Sequence, residues 1–557
     1  MLVYGDHDER VATADYLARL TAQAAALGRQ ASGIGWHQDC VALFISAAGL
    51  LQGIADAEFE AGGHDELSDA QSRISTWLRA LAEAIDRSWR SGFDDQRAPE
   101  VPDLPALPPS LSIRSCEGYA YYALYPELYL TAARRLTRGA TVIGLRSIGT
   151  GLAALTAAAC DAGFVCTLRP VGEPYARQVV IGPALEARLL ARRDGIFALV
   201  DEGPGQSGSS FAGAADALER LGIDRDRIVF LPSHAGDPGG HAPEGWPERW
   251  RASQRLVANF DEVFLADDAP APLARWFEDV TGPVLAPLTD LAGGRWRDGV
   301  DDVPADPGRE ARKYLLESER GHFLLKFVGI GPEASDKLVR AQVLGEAGFA
   351  PMPLALRYGF LVERWLSAST PEPAATWRRV APYLAFRSAT FPASAAGASL
   401  SALVAMARYN VATALGEDGW SAAWSDARLG ELERRVRPVH VDGRMHRWEW
   451  IADGGQILKT DAIDHARGHD LIGPQDIAWD VAGAIVELTP SGEDAAALID
   501  AVVGGRQGGI ELVHLMIRCY IGFQLGWWSF GSEERSRDTQ RRFYRERWQA
   551  LVAATKA

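Results

Sequence analysis

Lysine is nearly missing from this chain. Of 57 basic residues among 557 positions, five are lysine (Lys313, Lys326, Lys337, Lys459 and Lys556), so each surviving lysine invites a question about its role. Cysteine is scarce as well. Cys40, Cys116, Cys160, Cys166 and Cys519 are odd in number and contain no CxxC spacing, which excludes a disulfide framework or a structural zinc site and fits reduced thiols. An excess of positive charge is also absent: the net charge of −16 repels a phosphate backbone and excludes non-specific nucleic-acid binding. Small anions can still bind at loops and helix N-termini. The opening MLVYGDHDER lacks the basic-then-apolar order of a signal peptide. The most apolar run, Val41 to Leu51, is shorter than the roughly 20 residues that span a bilayer. The expectation is a soluble cytoplasmic protein with neither a membrane nor a nucleic-acid partner; its oligomeric state is left open.

What is present is ordinary globular sequence. Hydrophobic residues make up 47% and charged residues 23%, and 17 tryptophans argue against disorder. Because single cores stop growing near roughly 250–300 residues, a chain of 557 divides. Residues 1–97 carry helical periodicity, as in Tyr16, Leu17 and Leu20 and again in Trp77, Leu78, Leu81, Ile85 and Trp89. His37, Asp39 and Cys40 lie close in sequence without a second half to a metal site and read as core and surface filler. The Pro-rich stretch Ala98 to Pro109 reads as a linker.

Residues 110–300 alternate. Helices are expected near Glu127–Leu136, Gly151–Ala162 and Phe211–Leu221, and strands at Ala140–Leu145, Val165–Arg169, Gly195–Val200 and Arg227–Leu231. A further strand is expected at Glu262–Ala266. This order predicts a parallel sheet with helical crossovers. Gly- and Asp-rich sequence from Gly293 to Gly308 marks a boundary, after which residues 308–557 begin with strands at His322–Val328 and Gly359–Trp365 around a helix at Asp336–Ala347. Helical sequence then runs to the end, interrupted near Val439–Asp461. The predicted class is therefore a multidomain mixture of α/β and α+β, with a helical amino-terminal region, a parallel-sheet domain and a bilobal carboxyl-terminal domain.

The strand Ile196–Val200 ends in Asp201 and Glu202, and a turn GPGQSGSS leads into a helix. A strand, a glycine loop and a helix present backbone N–H groups and a positive helix end to an anion. The spacing from Gly203 to Ser210 fits a P-loop except that Ser209 stands where the lysine belongs, which weakens a nucleoside-triphosphatase reading. The run Ala198-Leu-Val-Asp-Glu-Gly-Pro-Gly-Gln-Ser-Gly-Ser-Ser instead resembles the phosphoribosyltransferase signature, with a loop about one residue longer than the common form. That resemblance implies that Asp201 and Glu202 face ribose hydroxyls and that Gln206, Ser207, Gly208, Ser209 and Ser210 hold a 5-phosphate. It also implies a pyrophosphate loop from Arg146 through Ser147 and Gly149 to Gly151, with Arg169 and Arg177 neutralising pyrophosphate. Phosphoribosyl diphosphate and Mg²⁺ would be substrate and cofactor.

In the last third, His322-Phe-Leu-Leu-Lys-Phe is an alternating strand carrying Lys326, and Phe360-Leu-Val-Glu-Arg-Trp-Leu resembles a kinase hinge strand with Glu363. His440-Val-Asp442, then Gln456-Ile-Leu-Lys-Thr-Asp461, then Gln475-Asp-Ile-Ala-Trp-Asp480 follow in the order of aminoglycoside phosphotransferase-like enzymes. The resemblance implies that Lys326 binds nucleotide phosphates, Asp442 acts on an acceptor hydroxyl and Asp461 holds Mg²⁺. The family's asparagine is replaced by Arg447, with Glu449 as the substitute ligand. Glu333, Asp336 and Glu346 compete as the helix partner of Lys326, and Asp464, His465, His469 and Asp470 form a polar loop expected to meet a metal, one another or water. The implied activity is a bifunctional transferase using phosphoribosyl diphosphate, ATP and an unidentified acceptor. The alternative is a regulatory protein that senses these ligands without turnover.

Overall fold

The computed structural model describes residues 8–297, 303–366, 369–416, 420, 424–463, 465 and 472–556. Near the amino terminus, strand β1 (Asp8–Ala12) precedes helices Thr13–Leu27, Ile34–Gly62 and Asp69–Arg90. The third helix is amphipathic, and Ser68 caps it by accepting the Gln71 N–H at 3.1 Å. The run Val41–Leu51, read as too short to span a bilayer, sits inside the 29-residue helix Ile34–Gly62. That helix is long and apolar enough to cross a membrane, yet most of it is buried against helices Asp69–Arg90 and Gly149–Ala159. The linker 98–109 is free of regular structure, as its prolines require, and ends in β2 (Ser110–Arg114), which pairs antiparallel with β1.

The alternating segment forms a four-stranded parallel sheet of β3 (Thr141–Leu145), β4 (Phe164–Leu168), β5 (Phe197–Val200) and β6 (Ile228–Leu231). Its order is β4-β3-β5-β6. Every residue of β3, β5 and β6 is buried, as expected for a sheet covered on both faces. Strands are added on one side of β3 up to β4 and on its other side from β5 onward, so the loops after β3 and β5 border the crevice where ligands of open α/β sheets bind. Helix Pro183–Leu190, absent from the sequence reading, supplies one crossover.

Glu262–Ala266 is not a strand. Asp261–Leu265 is a single helical turn, and Phe264 packs 4.7 Å from Tyr125 and 5.8 Å from Trp276. A short apolar run reads alike as strand or buried helix, and here packing against aromatic rings decided.

A five-stranded antiparallel sheet follows, made of β7 (Thr289–Asp290), β8 (Lys313–Ser318), β9 (Gly321–Phe327), β10 (Pro353–Arg357) and β11 (Phe360–Arg364) in the order β10-β11-β9-β8-β7. Helix Pro332–Glu346 lies between β9 and β10. The remainder is helical, with short strands β12 (Pro438–Val439), β13 (Trp450–Asp453), β14 (Gln456–Lys459) and β15 (Gln475–Asp476) at the interruption. Helices Leu400–Leu415 and Gly509–Ser529 pack together around a separate apolar core that includes Trp479, Tyr520 and Trp548.

The boundary drawn by composition at 293–308 does not coincide with a break in packing. Tyr314, Phe323, Leu325, Phe327, Tyr358 and Phe360 belong to the same apolar cluster as Trp36, Phe44, Trp89 and Tyr125. His37, read as filler, is a buried strut. Its Nε2 lies 2.8 Å from Glu127 Oε1 and its Nδ1 3.0 Å from Ser88 Oγ, while the Tyr358 hydroxyl donates to Glu127 at 3.0 Å. Side chains from the amino-terminal region, the α/β unit and the antiparallel sheet thus meet on one carboxylate.

Candidate active site

Lys326 and Asp461 meet because two local rules place them. The alternation of β9 buries Phe323, Leu325 and Phe327 in the core and turns Lys326 to the opposite face. Asp461 follows β14 in a left-handed conformation (φ 54°). The Lys326 ammonium donates to Asp461 Oδ1. Burial works to raise the Asp461 carboxyl, but the charges of Lys326, Lys313 and His465 hold it well below the usual carboxylate range. Glu363, on β11, pairs with Leu324 of β9 and lines the same cavity as Lys326.

Asp442 is held by a buried network. The paired N–H groups of Asp442 and Gly443 donate to Asp480 at 2.8 and 2.9 Å. Arg387 staples this turn by donating to the carbonyls of His440 (2.9 Å), Val441 (3.1 Å) and Ala462 (2.7 Å). Burial and the neighbouring Asp442 charge push the Asp480 carboxyl up to about 6. The Asp442 carboxylate itself is 0% exposed, accepts the Tyr383 hydroxyl proton and lies 3.2 Å from Lys459 Nζ. The role read from sequence, acting on an acceptor hydroxyl, asks that carboxylate to come within hydrogen-bond reach of the acceptor; here it lies beneath Lys459, which lines the cavity.

Lys459 bridges Asp442 to Glu449, donating to Glu449 Oε2 at 2.7 Å and to the Thr460 carbonyl at 2.8 Å. Burial works against the Lys459 charge, but Asp442 and Glu449 outweigh it and raise its pKa. Burial raises Glu449, partly offset by Lys459. Ligand atoms of Glu449, Asp461 and His465 all lie within 4.8 Å of one another. Arg447, read from sequence as the replacement for an asparagine, is exposed and outside the cavity wall. Asp464, His469 and Asp470 lie outside the described residues.

These groups border a cavity of ≈ 1990 Å³. Lys326, Glu363, Glu449, Asp461 and His465 line it from the carboxyl-terminal half. Tyr121, Tyr175, Gln206 and His241 line it from the α/β unit, with the Tyr175 and His241 rings stacked 4.5 Å apart.

The loops of the parallel sheet converge as their order requires. A Cβ on Gly149 would sit 2.8 Å from the Val200 carbonyl and 3.5 Å from Asp201 Oδ1, so only glycine lets the β3 and β5 loops meet this closely. Asp201 and Glu202 are half-buried at the end of β5. Burial pushes the Asp201 carboxyl up to about 7, while its Oδ1 accepts the Glu202 N–H at 2.9 Å. The loop serines are engaged internally. Ser207 Oγ donates to Ser209 Oγ at 3.0 Å, and Ser209 Oγ donates to the Pro174 carbonyl at 2.7 Å. Gly208 takes the left-handed conformation (φ 64°) just before helix Ser209–Arg220, and Ser210 is half-buried in its first turn. The Gln206 carbonyl accepts the His241 N–H at 3.1 Å, so the segment around His241 covers the loop.

Two arginines assigned to pyrophosphate are already paired. Arg146 donates to Asp56 at 2.8 Å, to Thr167 Oγ1 at 3.0 Å and to Asp65, while Arg169 donates to Asp56 at 2.8 Å and, through its N–H, to Asp65 at 2.7 Å. Burial works to raise the Asp56 carboxyl, but Arg169 and Arg146 hold it below its usual range. Two buried cations facing two carboxylates leave no net charge for an incoming pyrophosphate. Arg169 Nη1 also donates to the Arg146 carbonyl at 2.9 Å and reaches Ser147 Oγ at 3.5 Å. Arg177 is half-buried beside the backbone pair Val171–Gln178 and makes no ion pair among the described residues.

No family model and no curated protein matches the chain. Solved structures do. Choline kinase LicA from Streptococcus pneumoniae matches with 14% identity over 49% of this chain and 94% of its own, at a TM-score of 0.32. Spectinomycin phosphotransferase APH(9)-Ia in complex with ADP and spectinomycin matches with 10% identity over 51% of this chain and 97% of its own, at 0.31. A thermostable mutant of aminoglycoside phosphotransferase APH(4)-Ia matches with 14% identity over 50% and 97%, at 0.29.

Sequence reasoning missed Asp56, Asp65, Lys459 and Arg387, and it grouped His465 with a loop without assigning it a partner. Asp56 and Asp65 lie far upstream of the arginines they bind, where no motif connects them. Lys459 had a signal: it is a lysine in a chain with five, two residues before Asp461.

Proposed function

We propose that the carboxyl-terminal half binds ATP with a divalent cation and transfers its terminal phosphoryl group to a hydroxyl of a small molecule. The observation that carries this reading is the Lys326–Asp461 pair on the wall of the large cavity, beside Glu449 and His465. In the transfer, the bond between the terminal phosphorus and its bridging oxygen breaks, the acceptor oxygen takes that phosphorus, ADP leaves, and the hydroxyl proton passes to water. Such a reaction asks mainly for positioning and charge neutralisation. Lys326 would exchange Asp461 for nucleotide phosphate, one anion for another. Two carboxylates with one imidazole suit a divalent cation, and Asp461 and Glu449 are the oxygen ligands, in the role first read for Mg²⁺. Held there, such an ion would neutralise charge on the nucleotide phosphates. Asp442 acts through Lys459: it fixes the ammonium that in turn orients Glu449, and it is a positioning residue.

For the α/β unit the sensing alternative is the better one. Asp201 and Glu202 at the sheet crevice suit a ribose diol, whereas the pairing of Arg146 and Arg169 with Asp56 and Asp65 speaks against turnover of a pyrophosphate. Terminally labelled ATP incubated with the full chain and a metabolite library tests the transferase reading. Label moving onto an acceptor supports it; ATP left intact with every acceptor, alongside undetectable nucleotide binding, overturns it.

A further inference from the structure

The ion site differs from an all-oxygen site in one ligand. Glu449, Asp461 and His465 bring their ligand atoms within 4.8 Å of one another, and the third is an imidazole nitrogen. Its Nδ1 is buried without a hydrogen-bond partner among the described residues. A buried ring nitrogen left unbonded costs free energy unless something fills it. The placement of His465 is fixed by close packing. A Cβ on Gly443 (φ 85°) would lie 2.8 Å from the His465 carbonyl and 3.0 Å from its Cβ, so the glycine after Asp442 lets His465 settle there. The carboxylates are prepared in a matching way. Lys459 takes Oε2 of Glu449 and Lys326 takes Oδ1 of Asp461, and among the described residues no hydrogen bond occupies the second oxygen of either, which suits another cation.

We propose that Glu449, Asp461 and His465 form a site for a first-row transition ion, selected over Mg²⁺ by the His465 imidazole. Mg²⁺ takes oxygen ligands in near-ideal octahedra and gains little from imidazole, whereas a site with a nitrogen donor holds the first-row ions well, Zn²⁺ more tightly than Mn²⁺. The role of the ion in phosphoryl transfer rests on the function proposed above, but its binding does not.

The test uses untagged full-length protein stripped with a chelator and titrated calorimetrically with Zn²⁺, Mn²⁺ and Mg²⁺ in the absence of nucleotide. One ion per chain is expected, with Zn²⁺ tighter than Mn²⁺ and Mn²⁺ at least about 10-fold tighter than Mg²⁺. His465→Ala and His465→Gln should each weaken Zn²⁺ and Mn²⁺ by about 10-fold or more and Mg²⁺ by less than about 2-fold. Electron paramagnetic resonance of the Mn²⁺ form should carry a nitrogen coupling that both variants lose. Equal affinity for Mn²⁺ and Mg²⁺, or an unchanged nitrogen signal in folded His465→Gln, overturns the proposal. Selective Zn²⁺ and Mn²⁺ binding without any ATP binding would uphold the ion site and sink the phosphotransferase reading; ATP binding with no preference among the ions would do the reverse.

Discussion

Replacing Lys459 by methionine should destabilise the carboxyl-terminal lobe, and more at high pH than at low. Lys459 is 0% exposed, lies 2.7 Å from Glu449 and 3.2 Å from Asp442, and is the cation that both carboxylates share. At an effective dielectric of about 20, a unit charge pair about 3 Å apart interacts by roughly 5 kcal/mol, and removing one partner of a buried pair typically costs about 3–5 kcal/mol. Methionine keeps most of the volume, so packing loss adds little. For a unit of roughly 250 residues, such a loss lowers Tm by about 10 °C. The pH dependence has a definite sign. Burial already raises Glu449, and without Lys459 it rises further, so the folded variant binds protons more readily than the unfolded chain. Lowering the pH toward 5.5 then recovers part of the lost stability, and raising it toward 8 does not. Thermal unfolding of both proteins, followed by tryptophan fluorescence at the two pH values, measures this. A variant as stable as wild type, or a loss identical at both pH values, would refute the claim that Lys459 neutralises two buried carboxylates.

Further outcomes follow from the same geometry. Asp201→Asn with Glu202→Gln should weaken calorimetric binding of a ribose phosphate, and Ser210→Ala alone should cost about 1 kcal/mol, as for one neutral hydrogen bond. Because the Asp201 carboxyl titrates at about 7, ribose affinity should climb between pH 6 and 8 as the carboxylate forms, and Asp201→Asn should abolish that climb. Arg146→Met should loosen the amino-terminal helices from the parallel sheet by about 3–5 kcal/mol, since it leaves Asp56 and Asp65 to share the single cation of Arg169; hydrogen exchange across 34–90 should rise, and unchanged exchange would count against the buried pairing. A protease cut within 293–308 should leave two fragments that co-elute on size exclusion, because the antiparallel sheet and the amino-terminal helices share one apolar cluster. Separation of native fragments would contradict that shared core.

Local order was legible in the sequence and long-range pairing was not. The strand–helix alternation from Ala140 to Leu231 and the strand carrying Lys326 follow from apolar periodicity, which is a property of neighbouring residues. Motif order singled out Lys326, Asp442, Asp461 and Asp480, but neither the meeting of Lys326 with Asp461 nor that of Asp480 with the turn at Asp442 was read from it. Burial was not legible either. Nothing in His440-Val-Asp442 announces that Lys459 and Tyr383 close over the carboxylate, because those groups arrive from other elements. Likewise Arg146 and Arg169 read as anion ligands until Asp56 arrives from helix Ile34–Gly62 and Asp65 from the connection after it, neither carrying a motif that announces the pairing. Glu262–Ala266 failed for a third reason: a short apolar run has no period of its own, and aromatic neighbours set its conformation.

Nucleotide affinity in the Lys326 variant tests the central claim most directly. Calorimetric titration of the full chain with ATP and Mn²⁺ should show one site, weakened at least about 10-fold in Lys326→Ala, equivalent to about 1.4 kcal/mol. Absence of ATP binding by the wild type, or identical affinity in Lys326→Ala, would contradict the account of the cavity as a nucleotide site.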